Sequence, residues 1–584
     1  MKLFFQTGLL MTMALWICSG CSKHRVNGGA ASGPGIVLTA ADSVYSPEDP
    51  AVPSSIGFFG SGWQERSFAA VATAAGTPAT GVMTDTLTID ANKVLVKVPN
   101  YVFGNNSNLW MSQIVDQGSL MGYIKDLAPG IIRAPAGSAS DIYFWNDTTA
   151  APADAPASLL DASGAPAAAG YWFGGNTASW TLSLGNYYNM LSQTGSTGII
   201  TVNYGYARYG TSSNPVATAA HLAADWVRHD NGRTKFWEIG NESYGNWEAG
   251  YRIDVSQNKD GQPAVITGAL YGQHVKVFVD SMRAAAQQVG ATIYIGATLY
   301  QQAPTSGDDP VVQSWNQGVL TQAGNAPDFY IVHDYFTPYG ANSTADDILS
   351  TAATVPSVDM SYIRQQVSAA GVSMKPVALT EWNIRAEGSK QEVSYIAGIH
   401  AAKALGAIIK NQFGEASRWD LANGWGKNGD DQGMFNNGDE PGAPKWNPRP
   451  AFYYLYYFQH FMGDRMVYDT LKAINGDLTS YSSTFSSGQL GTIIVNSGTY
   501  NHNVAIDLRH WPTGANYYWY VLTGGTDNGS FSGQVYVNGA GPSTATGGPL
   551  NYSSLPAYKA PVSGTIRLSV PARSVVYLAV DKKQ

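Results

Sequence analysis

The chain reads as a (β/α)8 barrel, the TIM-barrel class, followed by an antiparallel β-sandwich. Three observations predict it. Eight short apolar runs with strand character alternate with helical patterns between about residues 100 and 460. Beyond Asp464 the apolar period changes to two. The chain has 584 residues, more than one hydrophobic core usually organises, so two domains are expected.

The strand-like runs are 101–104, 130–133, 198–203, 235–240, 292–297, 329–333, 376–380 and 416–421. Between them, Ala219, Leu222, Ala223 and Trp226 share one helical face, as do Ala401, Ala402, Leu405, Ile408 and Ile409. Eight strand–helix units favour a closed barrel over an open doubly wound sheet, which would need a reversal of strand order. The catalytic barrel is expected over 86–463. In the last domain, 464–584, Ile566, Leu568 and Val570 alternate, then Val576, Leu578 and Val580, with Gly, Asn, Ser and Thr turns between. The strand-like stretch 86–98 is expected to pair with this sandwich. The run Tyr517-Tyr518-Trp519-Tyr520 reads mainly as structural. A long segment at 146–177 carries Tyr171-Trp172-Phe173. Its aromatics fit either a wall of a sugar subsite or packing against a neighbouring loop.

Residues 1–21 read as an export signal. Lys2 supplies positive charge, 8–17 is apolar but too short to span a bilayer, and Cys18-Ser19-Gly20-Cys21 resembles a bacterial lipoprotein box. Cys21 is the expected lipidation site, with ordinary signal cleavage as the alternative. Cys21 and Cys18 are the chain's two cysteines, so processing there leaves no disulfide and no thiol ligand or nucleophile. Residues 22–85, rich at first in Ala, Gly, Ser and Pro, read as a tether and irregular lead-in. The expected location is the cell envelope, with membrane contact only through the anchor.

Charged residues make up 13% and aromatics 12%, including 16 Trp and 34 Tyr. A charge-poor, ring-rich surface suits neutral sugars, although most of these rings are expected in the core. The net charge of −8, with no Lys/Arg cluster, excludes a nucleic-acid partner. The nine histidines are scattered and no His-Glu-x-x-His segment exists, so no metal or other cofactor is expected. Asp430-Asp431 and Asp439-Glu440 read as a solvated acidic loop rather than a calcium site.

The chemistry rests on two glutamates. Glu242 follows the fourth strand run and Glu381 the seventh, and in a barrel both land on the face built by the strand C-termini. Paired carboxylates are the equipment for cutting a glycosidic bond, one protonating the leaving oxygen and the other attacking the anomeric carbon. Asn241 is placed to reach the sugar 2-hydroxyl. His333 and Tyr335 end the sixth strand, where a Tyr hydroxyl can hold an ionised nucleophile.

Phe236-Trp237-Glu238-Ile239-Gly240-Asn241-Glu242-Ser243-Tyr244-Gly245-Asn246-Trp247 resembles the acid/base segment of clan A retaining glycoside hydrolases, above all the family 51 α-L-arabinofuranosidases. Leu379-Thr380-Glu381-Trp382-Asn383 is similar to the nucleophile segment of that family. Arg133-Ala134-Pro135-Ala136-Gly137 resembles its Arg-x-Pro-Gly-Gly motif, with Ala136 in place of the first Gly. The resemblance spans roughly 97–460. It implies Glu242 as general acid/base, Glu381 as nucleophile, and net retention of configuration. Arg133, Asn105, Asn241, His333, Tyr335, Trp382 and Trp419 are the expected substrate-binding residues. The segment Asn105-Asn106-Ser107-Asn108 lacks the acidic residue typical of that family, and Trp419-Asp420-Leu421-Ala422-Asn423-Gly424-Trp425 adds aromatics. The expected partner is an oligosaccharide or polysaccharide of plant or algal origin. The alternatives are an endo-acting β-glycanase of the same clan and a non-catalytic surface glycan-binding lipoprotein.

Overall fold

The computed structural model describes residues 44–583 apart from positions 70 and 431. The export signal, Cys21 and Asp431 lie outside the described residues. Eight parallel strands close a barrel: β1 (Gly104–Asn106), β2 (Ile131–Ala134), β3 (Thr197–Val202), β4 (Phe236–Ile239), β5 (Tyr294–Thr298), β6 (Phe329–Tyr335), β7 (Val377–Asn383) and β8 (Glu415–Arg418). The helices that follow them in turn are α1 (Gly118–Leu127), α2 (Leu184–Thr194), α3 (Pro215–Asp230), α4 (Gly268–Val289), α5 (Pro310–Ala323), α6 (Ala345–Ala369), α7 (Tyr395–Lys410) and α8 (Pro450–Phe461).

Helix boundaries follow local chemistry. Asn214 caps α3 by accepting from Ala217 N–H, Pro215 fills the first turn, and Asn231 ends it in the left-handed region. Thr344 and Asp347 form a reciprocal capping box on α6. The floor of the barrel is closed from outside by the lead-in, where Phe58 stacks on Tyr294 with centroids 3.8 Å apart and Phe59 packs on Phe236 and Phe329. Within the described part of the lead-in, Gly57–Gly62 form a 3-10 helix whose rings pack on the barrel. Burying each such ring contributes about 1.5–3 kcal/mol.

Two strand boundaries differ from expectation. Residues Asn100–Val102 form a 3-10 turn that buries Tyr101 and Val102, so β1 starts only at Gly104. At β7 the strand continues through Asn383, which puts Glu381 inside the strand instead of after it.

The second domain is built on an eleven-stranded sheet curled around its own core of Leu87, Ile89, Val504, Leu568, Leu578 and Val580. It is mixed, not antiparallel throughout. Asp85–Lys97 pairs antiparallel with Arg465–Lys472 and parallel with His502–Arg509, and Thr73–Ala75 pairs parallel with Ala557–Pro561. Both parallel pairings use strands that precede the barrel in sequence. Tyr517 and Trp519 stack in this core at 5.2 Å, while Tyr520 packs on Tyr457 of α8 at 4.6 Å, so the aromatic run joins the two domains. No helix among the described residues is long and apolar enough to cross a membrane.

The acidic loop is not wholly solvated. Glu440 is buried and paired with Arg449 at 2.9 Å. Asp430 accepts from the backbone N–H of Lys427 and Gly388.

Candidate active site

The site lies where the barrel strands end. At the end of β4, Gly240 takes a positive φ of 72°, and a Cβ there would meet Ser243 Oγ at 2.7 Å and Tyr204 Cβ at 2.8 Å. Glycine alone makes this turn, which presents Asn241 and Glu242 at the mouth. In β6 and β7 the register pairs His333 with Glu381 and Tyr335 with Asn383. Alternation along each strand sends these side chains to one face and Asp334 and Trp382 to the other.

Glu381 is held by two donors. Arg133 Nη1 lies 2.7 Å from its Oε1 and the Tyr335 hydroxyl donates to Oε2 at 2.7 Å. The guanidinium is fully buried and forks, with Nε 2.5 Å from Glu238 Oε2 and Nη2 2.9 Å from Asn241 Oδ1. Burial opposes its charge, but Glu238 and Glu381 outweigh that and hold it above its ordinary value. Burial and then the charges of Glu381 and Glu242 push the Tyr335 phenol well up, so it serves as a donor. Both donors stabilise negative charge on Glu381.

Glu242 is the more accessible carboxylate, its side chain 14% exposed against 4% for Glu381. Trp247 donates its indole N–H to Oε2 at 3.0 Å, Tyr244 donates to Oε1 at 3.3 Å, and His333 Nδ1 is 3.2 Å from Oε1. Burial raises the Glu242 carboxyl, yet the bonds from His333, Trp247 and Tyr244 and the charge of His333 outweigh it, leaving it below its ordinary value. His333 Nε2 is 2.9 Å from Thr380 Oγ1, which fixes the ring between the two glutamates. An oxygen of Glu242 and an oxygen of Glu381 lie within 4.8 Å of each other.

Glu242, His333 and Glu381 form the only cluster of potential metal ligands among the described residues. Its carboxylates are already occupied by donors, and Arg133 sits on the Glu381 oxygen nearest His333. A divalent cation there would meet a guanidinium at hydrogen-bond range. The chemistry of the set fits a proton-transfer pair with an anion clamp.

Behind these groups is a second acidic layer. Asn241 Nδ2 and Ser138 Oγ both donate to Glu248 Oε1 at 2.8 Å. Burial, then the charges of Asp141 and Glu242, pushes Glu248 well above the usual carboxylate range. Asp141 accepts from the backbone N–H of Tyr204, Gly205 and Asn241 and is pushed up by burial to about 7.

Of the expected site residues, Glu242, Glu381, Arg133, Asn241, His333 and Tyr335 converge. Trp419 is buried and packs on Gly137, so close that a Cβ there would meet its ring at 2.6 Å. Gly137 also has a positive φ of 66°, so the motif's last glycine is required twice over. Asn105 does not reach the site. Its neighbour Asn106 does, accepting from Arg133 Nη1 at 3.1 Å and donating to the Thr380 carbonyl at 2.8 Å. Asn106 stands in register with Arg133, so alternation turns Asn106 inward and Asn105 to the opposite face. Trp382 is a core residue, 2% exposed and packed near Phe336. Trp247, Tyr244, Glu238 and Glu248 were not anticipated. All four stand in or just after the acid/base segment, and close spacing to Glu242 was the available signal.

No protein-family model and no curated protein matches the chain. Solved structures do. The chain is similar to the α-L-arabinofuranosidase of Thermotoga maritima in its arabinose complex, with a TM-score of 0.59 and 16% identity, over 85% of this chain and 100% of that one. A family 51 α-L-arabinofuranosidase from Bifidobacterium longum gives 0.59 and 14%, over 86% and 100%. A Paenibacillus polymyxa xyloglucanase of glycoside hydrolase family 44 gives 0.55 and 12%, over 86% and 100%. At these identities the likeness is one of fold.

Proposed function

We propose that the chain is a retaining glycoside hydrolase in which Glu381 is the nucleophile and Glu242 the general acid/base. The observation that carries this is the division of donors between two carboxylates whose nearest oxygens lie within 4.8 Å. Carboxyl groups about 5–5.5 Å apart suit double displacement, whereas inverting pairs stand about 6.5–9.5 Å apart to admit a water.

In the first step Glu381 attacks the anomeric carbon while Glu242 gives its proton to the glycosidic oxygen. The leaving alcohol departs and a glycosyl ester forms on Glu381. In the second step the Glu242 carboxylate takes a proton from water, whose oxygen attacks the anomeric carbon and frees Glu381. Two inversions restore the starting configuration. Arg133 and Tyr335 hold Glu381 in place and stabilise its charge when it departs. Asn241, clamped by Arg133 and Glu248, retains one amide hydrogen for the sugar 2-hydroxyl.

The finer reading is an α-L-arabinofuranosidase-like enzyme, supported by the motif resemblance and by the arabinofuranosidases among its structural neighbours. An endo-acting β-glycanase is the second reading. It is favoured by exposed aromatic side chains at the barrel mouth, Trp247 at 60% and Tyr339 at 75%, and by the xyloglucanase likeness. A binding-only role is disfavoured because both carboxylates retain complete donor sets. Export and lipid anchoring through Cys21 belong to the proposal on sequence grounds alone.

Hydrolysis of five aryl glycosides tests it: α-L-arabinofuranoside, β-xyloside, β-glucoside, β-galactoside and β-glucuronide, with Glu381→Ala as the blank. One strong hit names the sugar. Oligosaccharide release from a polymer with no aryl hit selects the endo reading. Neither activity rejects the glycosidase assignment.

A further inference from the structure

Among the described tryptophans only Trp180 and Trp247 are exposed, at 55% and 60%. Both stand on loops at the mouth of the barrel, Trp180 between β2 and α2 and Trp247 between β4 and α4. Trp247 touches Glu242 and belongs to the site already described. Trp180 does not, and an exposed indole needs another reason.

Trp180 is the outer member of a three-ring wall. Its ring lies 5.7 Å from Trp172 at 62°, and Trp172 lies 6.1 Å from Trp110 at 50°. The wall draws on the loop after β1 and the long segment after β2. Its backbone is stitched together: Ser112 N–H donates to the Trp180 carbonyl, and Leu182 N–H and Thr181 Oγ1 both donate to the Leu109 carbonyl. Trp180 is thus held out to solvent by a fixed frame, so little conformational entropy is lost when a ligand covers it.

The wall is also joined to the carboxylate site. Trp110 Nε1 donates to Asn423 Oδ1 at 2.8 Å, and Asn423 and Asn108 both donate to Asp420, which follows Trp419. Two residues before Asn108, Asn106 bonds Arg133, which bonds Glu381. The side chains bonded to Trp110 of the wall are amides, Asn108, Asn423 and Asn437. Flat apolar faces beside uncharged hydrogen-bonding groups match the C–H faces and hydroxyls of a neutral sugar.

We infer that Trp110, Trp172 and Trp180 form a distal subsite for a neutral sugar residue of a glycan chain whose scissile bond lies between Glu242 and Glu381. This rests on the glycosidase reading for its register, though not for binding itself. It makes an extended glycan, rather than a single glycosyl unit, the ligand of this face.

The test uses the inactive Glu381→Ala chain in native gels cast with arabinoxylan or xyloglucan, two neutral polysaccharides. At least one should retard it. Adding Trp180→Ala should weaken that retardation about tenfold, equivalent to about 1.4 kcal/mol. Adding Tyr500→Ala, an exposed residue of the second domain, should leave it unchanged. Equal retardation with and without Trp180, or no retardation by either polymer, overturns the inference. Loss of retardation in the Trp180 variant, alongside a wild-type chain that cleaves nothing, rejects the glycosidase reading and leaves the subsite standing. In an active enzyme, the ratio of kcat/KM on polymer to that on an aryl glycoside should also fall about tenfold in Trp180→Ala.

Discussion

The imidazole Nδ1 of His333 lies 3.2 Å from Oε1 of Glu242, so the carboxyl that must give up a proton leans on a ring that favours its ionised form. The consequence is a pH dependence. Burial raises Glu242, and the contacts from His333, Trp247 and Tyr244 bring it below its ordinary value. The protonated acid is lost as pH rises through that lowered value, so kcat/KM should fall from the acidic range upward. His333→Asn removes the contact that favours ionised Glu242 and should move the falling limb to higher pH. A pH profile that stays put in this variant contradicts the role given to His333.

Arg133 is the structural keystone of the same cluster. Removing it leaves Glu238 and Glu381 buried without their cation, and breaking such a pair costs about 3–5 kcal/mol. Arg133→Ala should lower stability by that order in denaturant unfolding and abolish turnover. Arg133→Lys restores charge without the planar fork, so it should recover part of the stability and little of the activity. Full activity in the lysine variant would show that the fork is dispensable.

Glu248 acts through Asn241. Its Oε1 accepts from the Asn241 amide, and burial favours its neutral form. Glu248→Gln supplies a neutral acceptor of the same shape and should keep most activity, whereas Glu248→Ala frees the amide and should lower kcat about tenfold or more. The loss should shrink on a 2-deoxy glycoside, which lacks the hydroxyl that Asn241 is proposed to meet. Equal losses on both substrates point to a general structural defect instead.

Much of this was legible in the sequence. Apolar periodicity located seven of the eight barrel strands and set the first on the turn just before β1. The positions of Glu242 and Glu381 after the fourth and seventh strand runs placed both on one face. What escaped depended on register and on chain reversal. The 3-10 turn ahead of β1 delays the strand, and pairing of Asn106 with Arg133 turns Asn106, not the Asn105 implied by the resemblance, into the site. Trp382 stands next to the nucleophile in sequence, but strand alternation turns it into the core. Trp247 and Glu248 return to the site because the loop after Glu242 folds back, with Gly245 N–H bonded to the Glu242 carbonyl. No periodicity encodes that. The joining of 86–98 to the last domain was expected from its strand character and is seen. What escaped is its parallel pairing with His502–Arg509 and the addition of Thr73–Ala75, whose partners lie more than 400 residues away.

A stability profile follows from buried acids outside the site. Asp334, behind His333, is raised by burial to about 7 from 3.8, and Asp359 on α6 is raised well up by burial and the charge of Asp334. A carboxyl with a raised folded value contributes stability fully below its unfolded value, and that contribution is lost as pH rises through the folded one. The melting temperature should therefore decline between about pH 4 and pH 7. Asp359→Asn removes one of the two protons involved and should flatten the decline. A slope as steep as wild type would show that the pair does not titrate together.

The most direct measurement is the anomeric configuration of the first sugar released, followed by proton NMR on whichever aryl glycoside the wild-type chain hydrolyses best. The proposed mechanism predicts retention, and Glu381→Ala should release none. Inversion, or undiminished turnover by Glu381→Ala, would contradict the assignment of Glu381 as nucleophile and with it the account of the site.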